Sequence, residues 1–373
     1  MSHPRDSSQK ISRLTPLKDV LDRIVSDASP VAARECALAD AVGRVLAEDV
    51  AANAAYPAQA TALRDGVAVR ADDTADASSY APVLLSKTHV VQVGDGMPDG
   101  ADAVAWSDGV MTDNGSIAAI APVAAGDGVL AAGADVQAGR PLRHAGEKLR
   151  TIDVAVLQAL GVTKVNVRVP RVRVVTEKSG DVIIDAIAGW VHRWAVAAGG
   201  DVISSGSSTH FKAVLGAGDA DFIVAVGGSG AGASDISIGT LEAAGHLHFH
   251  GVGISPGETS ALGFAGNIPV LIVPGRIDAA FAACATMGEV VMARLCSFQS
   301  VAPVVMATLE RKVVSTIGLV EVVPVKLNGT SATPLASGYL PMQAMVQADG
   351  YILVSASSEG APARTSVTVR MMP

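Results

Sequence analysis

The sequence predicts a multi-domain α/β protein, in which a three-layer α/β domain is combined with an inserted β-rich lobe and a closing β domain. Three observations predict this class. Strand-like and helix-like segments alternate from Pro170 to about residue 300, turn sequences crowd residues 41–140, and helical periodicity stops after Ser300. A chain of 373 residues is also long enough for two or three structural units.

Composition and charge narrow the class of protein. The chain is 49% hydrophobic, which excludes global disorder, and its formal charge of −8 argues against a nucleic-acid scaffold and an anionic membrane surface. No apolar run reaches the roughly 18 residues of a membrane span, and Met1–Ser12 lacks the apolar stretch of a secretory signal. Three scattered cysteines form neither a disulfide framework nor a zinc cluster. We therefore expect a cytoplasmic protein with a disordered N-terminal tail.

Two helices are predicted to bracket the lobe. In the first, Thr15 is the cap, Pro16 takes the first helical position, and an apolar stripe follows at Leu17, Val20, Leu21, Ile24 and Val25. In the second, Thr151 is the cap and Gly161 is the terminating residue, with a stripe at Ile152, Ala155, Val156, Ala159 and Leu160. We expect these helices to pack together.

The intervening lobe and the later domains are predicted from turns and short apolar runs. Turn pairs punctuate the lobe at Asp65-Gly66, Asp99-Gly100, Asn114-Gly115 and Asp127-Gly128. Strands are predicted at Arg171–Thr176, Asp221–Val226 and Val270–Val273, and helical periodicity runs from Phe281 to Leu295. The predicted domains are a discontinuous helical subdomain (13–40 with 141–168), a β lobe (41–140), an α/β domain (169–300) and a C-terminal β domain (301–373).

A glycine-rich loop is the first candidate for chemistry. It comprises Gly227, Gly228, Ser229, Gly230, Ala231 and Gly232, directly after a predicted strand and before a possible helix from about Ser234. Glycines let backbone N–H groups approach an anion, and a helix N-terminus adds partial positive charge. The loop lacks a P-loop lysine and does not match G-x-G-x-x-G. An anion site and a tight strand-to-helix turn both fit this pattern.

Further candidates follow other apolar runs. Pro256-Gly257 and Pro274-Gly275-Arg276 would lie at the carboxyl edge of an open sheet, where such folds bind ligands, although a Pro-Gly pair is commonly only a turn. Asp65 could be a turn residue before a strand.

The His-Leu-His-Phe-His segment places His246, His248 and His250 on one side of a strand. Such positions lie roughly 7 Å apart, so the pattern favours a polar strand face over a metal site.

Taken together, these motifs resemble the molybdopterin molybdotransferase family, which includes the gephyrin E domain. The resemblance extends from about Leu14 to Met372. The family's motifs occur in order: A-M-D-G-Y-A-V at 63–69, T-G-A-P-L-P-E-G-A-D-A-V at 93–104, S-G-G-V-S-V-G-D at the glycine loop, K-P-G-K-P at 255–259, P-G-N-P at 274–277, and A-D-G-L-I at 348–352.

The resemblance implies a fold and an activity. It implies a dimer-forming helical subdomain, an inserted β lobe, a three-layer α/β domain that binds molybdopterin, and a C-terminal β barrel. Members of the family hydrolyse adenylylated molybdopterin and insert molybdate with Mg²⁺. Asp65 and Asp235 are then the catalytic candidates and Asp181 is the metal candidate. The molybdopterin-binding candidates are Gly227, Gly228, Ser229, Gly230, Gly232, Pro256, Gly257, Pro274, Gly275 and Arg276.

The chain departs from the family pattern where the chemistry is expected. Ser255 and Glu258 stand in place of the two lysines of K-P-G-K-P, and Ala233 stands in place of the acid after the glycine loop. Asp181 and Glu177 are the alternatives for that acid, and the residues alone do not choose between them. Arg276 restores one positive charge. Replacing a cation by a carboxylate weakens attraction for phosphate and molybdate by about 1–4 kcal/mol per charge at contact distance.

Two functions follow, and the lost lysines favour the first. One is a homodimeric relative with weakened or lost catalysis that binds molybdopterin or the finished cofactor, or assists a molybdoenzyme or another biosynthesis protein. The other is an active molybdotransferase that uses Asp65, Asp235 and Asp181 with Mg²⁺. A third hypothesis is a scaffold without pterin that is recognised through a peptide groove, and no residue points to that groove.

Overall fold

The computed structural model describes residues 11–176, 180–203, 211–232, 235–298 and 304–373. The chain divides into two compact units. The first unit comprises residues up to Glu48, Ala145–Val154 and the residues from Lys164 onward, and the second comprises Asp49–His144 and Ala155–Thr163. The first ten residues of the expected disordered tail lie outside the described residues.

The helices within the described ranges are mostly short. They are α1 (Leu17–Asp27), α2 (Thr151–Ala159), α3 (Val182–Ala197), α4 (Phe211–Ala217), α5 (Ser237–Ala244), α6 (Ile277–Ala283), α7 (Glu289–Cys296) and α8 (Met342–Gln347). A π-helical turn, Cys284–Gly288, joins α6 to α7. Short 3-10 turns occur at Leu38–Asp40 and Ala71–Thr74.

The strands fall into three groups along the chain. Those before α2 are β1 (Arg34–Ala37), β2 (Val45–Leu46), β3 (Val50–Ala51), β4 (Thr61–Ala62), β5 (Gly66–Val69), β6 (Val83–Leu84), β7 (His89–Val91), β8 (Ala103–Ala105), β9 (Val110–Asp113), β10 (Ser116–Ala119), β11 (Val129–Leu130) and β12 (Pro141–Arg143). Those between α2 and residue 300 are β13 (Lys164–Arg168), β14 (Arg171–Thr176), β15 (Asp201–Ile203), β16 (Phe222–Val226), β17 (His246–His250), β18 (Ile254–Ser255), β19 (Ala261–Ala265) and β20 (Ile268–Val273). The last group is β21 (Val304–Leu309), β22 (Val313–Val314), β23 (Val320–Asn328), β24 (Ser331–Pro334), β25 (Gly350–Val354), β26 (Gly360–Ala361) and β27 (Ser366–Met371).

A six-stranded sheet in the order β15-β14-β16-β20-β19-β17 forms the centre of the first unit. The strands β15, β14, β16 and β20 are parallel, whereas β19 and β17 run antiparallel, so the sheet is mixed. Alternate residues of β16 enter two separate cores. Phe222, Val224 and Val226 pack with α1, α3, α6 and α7 on one face, and Ile223 and Ala225 pack with α4 and α5 on the other. These layers confirm the predicted three-layer α/β fold.

The first helix has the predicted stripe but a different start. Helix α1 begins at Leu17 with Pro16 as its N-cap and without a side-chain capping bond, and Thr15 instead forms a β-bridge with Val252. The buried Val20 and Ile24 place α1 in the core, where its contacts include α7. The predicted cap at Thr15 is therefore wrong, because the threonine backbone is used for strand pairing.

The predicted apolar face of the second helix is also wrong. Ile152 and Val156 are exposed on α2, whereas Asp153, Val154 and Leu157 are buried. The Asp153 carboxylate accepts the Arg150 backbone N–H at 2.8 Å and two donors of its guanidinium. This bonding fixes the inward face of the helix at its first turn.

The longest continuous helical stretch runs through α6, the π turn and α7. By length and composition it could cross a membrane, but 78% of its apolar window is buried inside the fold. Burial of Cys284, Met287 and Val291 identifies this stretch as a core helix of the first unit.

The C-terminal segment closes into a β barrel, as predicted. Strand β23 pairs with β24 and also with β25, which closes the ring β23-β24-β21-β27-β25. The short β18 joins β23 in parallel at the outside of this ring. Leu309, Val323, Ile352 and Val369 are among the buried residues that fill the barrel.

The second unit is rich in short antiparallel strands, as expected of the lobe. Two three-stranded sheets, β7-β5-β8 and β6-β10-β9, are accompanied by the pairs β11-β4 and β12-β3. Gly100, Gly115 and Gly128 have positive φ angles, as the turn sequences predict.

An ion-pair cluster at the start of β15 makes stability depend on acid pH. Partial burial acts to raise the pKa of Asp201, but hydrogen bonds and charges from Arg34 and Arg44 outweigh it and hold the pKa below its ordinary value. This contribution to stability is present above the unfolded pKa of about 4 and is lost as pH falls through the lower folded value. We expect Asp201→Asn to destabilise the protein at neutral pH, with the difference from wild type shrinking as the pH falls below about 4. Thermal denaturation from neutral to acid pH measures this, and a difference that does not change with pH would contradict it.

Candidate functional site

A cleft of about 360 Å³ lies where β14 and β20 lead into α3 and α6, at the carboxyl ends of parallel strands. Open α/β sheets bind ligands at this edge. The cleft is lined by Asp181, Ile183, Ile184, Gly275, Arg276, Ile277, Asp278, Tyr339, Leu340 and Met342. Three of the residues predicted from the sequence, Asp181, Gly275 and Arg276, are therefore brought together.

Asp181 is the N-cap of α3. Its Oδ1 accepts the backbone N–H groups of Ile183 at 2.9 Å and Ile184 at 3.2 Å. Aspartate is favoured at this position because it satisfies N–H groups that have no partner within the helix. The carboxylate predicted as a metal ligand thus lines the cleft while balancing the positive end of a 16-residue helix. Glu177, its alternative, lies outside the described residues.

Arg276 and Asp278 form a two-bond ion pair on the cleft wall. Arg276 Nε donates to Asp278 Oδ1 at 3.1 Å, and Arg276 Nη2 donates to Asp278 Oδ2 at 2.5 Å. The guanidinium carbon also lies 5.1 Å from the centre of the Tyr339 ring. The Arg276 side chain is 59% exposed and that of Asp278 only 4%, so a buried acid holds an accessible cation.

The surroundings of Arg276 are acidic. The hydrogen bond from Arg276 to Asp278 is the main cause that raises the pKa of Arg276, with smaller contributions from the charges of Asp278, Tyr339 and Glu258. Glu258 folds back so that its Oε2 accepts the Gly257 backbone N–H at 3.0 Å. Glu258 stands where the family has its second lysine, and its negative charge therefore acts on Arg276, the cation of the cleft.

The glycine loop is absent from the cleft lining, but its first residue, Gly227, lies next to Gly275 of the cleft. Gly227 N–H donates to Val273 O at 2.8 Å, and a Cβ on Gly275 would lie 3.8 Å from Gly227 Cα. Ile184 Cδ1 would lie within 3.3 Å of a Cβ on either glycine. These glycines thus allow close approach of two strand ends and Ile184.

Ser229 and Asp235 are used within the fold. Ser229 is buried, its hydroxyl lies 3.2 Å from the Thr259 hydroxyl, and its carbonyl lies 2.9 Å from His250 Nε2. Asp235 Oδ2 accepts the Gly232 N–H at 3.1 Å, while Asp235 N–H donates to Gly232 O at 2.9 Å. Asp235 therefore closes the glycine loop and does not line the cleft. Ala233 lies outside the described residues.

The Pro256-Gly257 loop packs against the start of the core helix and is also absent from the cleft lining. Gly257 has a φ of +121°, and a Cβ there would lie 2.8 Å from Ile254 Cδ1 and 3.2 Å from Ala279 O. The Ser255-Pro256 peptide is cis. This loop carries Glu258 into its position near Arg276.

Asp65 belongs to the second unit. Its Oδ1 accepts the Val93 backbone N–H at 2.8 Å, so it links the motif segment 63–69 to the start of the segment 93–104. Within the unit this is a structural contact.

The three histidines of β17 do not form an evenly spaced row. The strand pairs irregularly with β19 at His248, and the His246 and His248 ring centres lie 4.6 Å apart. His250 turns to Ser229 instead. The two rings thus lie closer together than the roughly 7 Å between alternate positions of a regular strand. In the described part of the chain, no group of three or more histidine, cysteine or acidic side chains is placed to hold a metal ion.

Sequence reasoning missed Asp278 and Tyr339. Asp278 follows Arg276 by two residues, so the close acid was a usable signal. Tyr339 and Met342 come from the segment before and at the start of α8, some sixty residues later, and no local pattern connects them with the cleft.

Comparisons with known proteins agree with this architecture. The family described as MoeA N-terminal region (domain I and II) matches residues 15–161. A molybdopterin biosynthesis protein of Methanocaldococcus jannaschii is 24% identical over 362 residues, which cover 88% of this chain and 89% of that protein. Molybdopterin molybdenumtransferase 2 of Mycobacterium tuberculosis is 27% identical over 289 residues, covering 64% and 69%.

Solved structures extend the likeness to nearly the whole chain. Two crystal structures of the molybdopterin biosynthesis moeA protein from Pyrococcus horikoshii match with TM-scores of 0.78 and 0.73, at 24% and 26% sequence identity. Each covers 96% of this chain, and the matches cover 100% and 99% of those chains.

Proposed function

Because this chain belongs to the MoeA family of molybdopterin biosynthesis proteins, we propose that it binds molybdopterin or the finished cofactor and that its molybdate insertion is weakened or lost. One observation carries the second half of the proposal. The one cation lining the described cleft, Arg276, is paired with the buried carboxylate of Asp278 and faced by Glu258.

Electrostatics explains why this arrangement disfavours the family reaction. Molybdate and the phosphates of an adenylylated pterin are anions, and their transfer depends on cations that stabilise developing negative charge. The cleft lining holds two carboxylates, Asp181 and Asp278, against one guanidinium. A carboxylate in place of a lysine changes the interaction with an anion from attraction to repulsion, by about 1–4 kcal/mol for each charge at contact distance.

The remaining lining suits the flat heterocycle of a pterin. Ile183, Ile184 and Ile277 form apolar surface, and Tyr339 offers an aromatic ring. A volume of about 360 Å³ is within the range of small-molecule sites. The Asp181 carboxylate accepts hydrogen bonds, which matches the N–H donors of a pterin ring.

The described cleft offers Mg²⁺ one carboxylate with free oxygen lone pairs. Protein-bound Mg²⁺ uses one or two carboxylates together with substrate phosphates. Both oxygens of Asp278 accept hydrogen bonds from Arg276 and from backbone N–H groups. Asp181 is then the other carboxylate in the lining that could bind a metal ion. Mg²⁺ at this cleft would therefore depend on Asp181 and on the phosphates of the substrate.

An active molybdotransferase is the second candidate, favoured by the Asp65-Gly66 motif and by Arg276 in the loop after β20. The decisive experiment measures AMP release from adenylylated molybdopterin with Mg²⁺ and molybdate, beside an active homologue in the same assay. We expect pterin binding without molybdate-dependent release. Release at the rate of the homologue would establish the second candidate.

Glu258→Lys tests the electrostatic argument directly. The substitution restores the charge of the family's second lysine, so we expect affinity for molybdate to rise about tenfold, the equivalent of roughly 1.4 kcal/mol. Equilibrium dialysis with molybdate measures the change. Glu242→Lys on α5 is the matched control, because Glu242 is exposed and, unlike Glu258, is not among the charges that act on Arg276. Equal gains in both variants would attribute the effect to net charge alone and contradict the local argument.

We also propose a cytoplasmic homodimer that assists a molybdoenzyme or another cofactor-biosynthesis protein. The exposed Ile152 and Val156 on α2 support a self-association face, and the free state of all three cysteines suits a reducing compartment. Light scattering of wild type and of Val156→Lys tests the dimer, and the variant is expected to be monomeric.

A further inference from the structure

Asp278 is placed to decide which ligands reach Arg276. We infer that Asp278 is a specificity-determining residue: its carboxylate occupies the Arg276 guanidinium as an internal counter-anion, so that the cleft favours the uncharged ring system of a pterin over free oxyanions. The claim that a pterin ring is favoured rests on the proposed function. The claim that free oxyanions are disfavoured rests on the geometry of the cleft alone.

The guanidinium is held on two sides. Two parallel N–H···O bonds to Asp278 occupy its Nε and Nη2 donors, and its face lies over the Tyr339 ring. Two-bond pairing of this kind fixes the plane of arginine as well as its position. An oxyanion can therefore bind these two donors only if it displaces Asp278. Otherwise it binds only the remaining N–H groups of Arg276.

Asp278 is itself unable to move aside easily. Its Oδ1 accepts the Ala279 N–H at 2.9 Å, and its Oδ2 accepts the Leu340 N–H at 3.2 Å. These bonds fasten the carboxylate to the first turn of α6 and to the segment before α8. The side chain is 4% exposed, so rotation would leave a buried charge unpaired, which is costly.

An intramolecular anion has an advantage over one from solution. Because Asp278 is already positioned, it competes at a high effective concentration without loss of translational freedom. Glu258 adds negative charge on a neighbouring loop, and Asp181 adds it on the cleft wall. An uncharged ring escapes this penalty, because it can pack on the isoleucines and donate N–H groups to a carboxylate.

Calorimetric titration of the full chain tests the inference with molybdate, AMP and the uncharged hydroxymethylpterin as separate probes. We expect Asp278→Asn to bind molybdate and AMP about tenfold more tightly than wild type, since a charge-assisted hydrogen bond becomes available to them. The double variant Arg276→Gln/Asp278→Asn is expected to lose that gain. Asp221→Asn is the matched control, because Asp221 forms the same two-bond pair with Arg171 at the opposite ends of the strands.

Each outcome decides between the claims. No gain in a folded Asp278→Asn protein, or a gain that survives loss of Arg276, would overturn the inference. Wild type that binds molybdate as tightly as the variant would also overturn it. Should the buried amide prevent folding, Asp278→Ser applies the same test with a smaller neutral side chain. Failure of wild type to bind hydroxymethylpterin would count against the proposed function, while an Arg276-dependent gain for anions would still support the role of Asp278.

Discussion

Phe222→Ala is expected to lower the free energy of unfolding of the first unit by about 3–5 kcal/mol. Phe222 is fully buried in β16, where it packs with the core between the central sheet and helices α1, α3, α6 and α7. Truncation removes apolar contacts and leaves a cavity, because neighbouring strands on both sides prevent collapse. Denaturant unfolding, followed by the fluorescence of Trp190 and Trp194 in α3, measures the loss.

The measurement requires a background and a control within the same unit. A Trp106→Phe background removes the tryptophan of the second unit, so the remaining signal comes from α3. Val346→Ala is the control, because Val346 is 86% exposed and its truncation should change stability by less than about 0.5 kcal/mol. A loss below about 1 kcal/mol for Phe222→Ala would show that the core between the sheet and the helices is less tightly packed than the full burial of Phe222 indicates.

Gly228→Ala is expected to cost about 2–4 kcal/mol and to disorganise the glycine loop. Gly228 has a φ of +72°, a left-handed conformation in which an alanine is strained. Its Cβ would lie 2.2 Å from the Ser237 hydroxyl, a buried group that donates to Gly227 O at 3.0 Å. The substitution must therefore displace Ser237 and break this bond. Thermal denaturation measures the stability, and hydroxymethylpterin titration measures the effect on the adjoining cleft.

Gly239→Ala is the matched control for Gly228→Ala, because we expect it to stabilise the protein. Gly239 lies within α5, and a Cβ at this position would have no neighbouring atom within 4 Å, so alanine should stabilise the helix by about 0.5–1 kcal/mol. Equal destabilisation by both substitutions would contradict the argument from loop geometry. It would point instead to a general intolerance of added side chains from the end of β16 into α5.

The fold was largely accessible from sequence where periodicity and turn chemistry are strong. The predicted strand at Arg171–Thr176 has the same bounds as β14, and the apolar stripe of α1 is buried at Leu17, Val20 and Ile24. The buried face of α2 could not be predicted from the sequence, because two overlapping apolar stripes occur along this helix. The bonds from Arg150 to Asp153 decide which side faces inward.

The candidate site was accessible only in part. Gly275 and Arg276 follow a strand that the sequence predicts, and they line the cleft together with Asp181, a candidate that came from the family resemblance. The part played by Asp278 depends on side-chain direction, and that of Tyr339 depends on a contact across about sixty residues. A linear motif carries neither kind of information.

The sequence by itself indicated the family, through its resemblance to the family's motifs, and the loss of both lysines from the K-P-G-K-P segment. These follow from local residue types and spacing, which the chain carries without folding. Only the tertiary structure decided that Arg276 is paired with a buried carboxylate, that Asp181 caps a helix and that Asp235 closes a loop. The physical reason is that charge and hydrogen-bonding capacity are properties of a residue, whereas their availability to a ligand depends on which neighbours the fold has already placed against them.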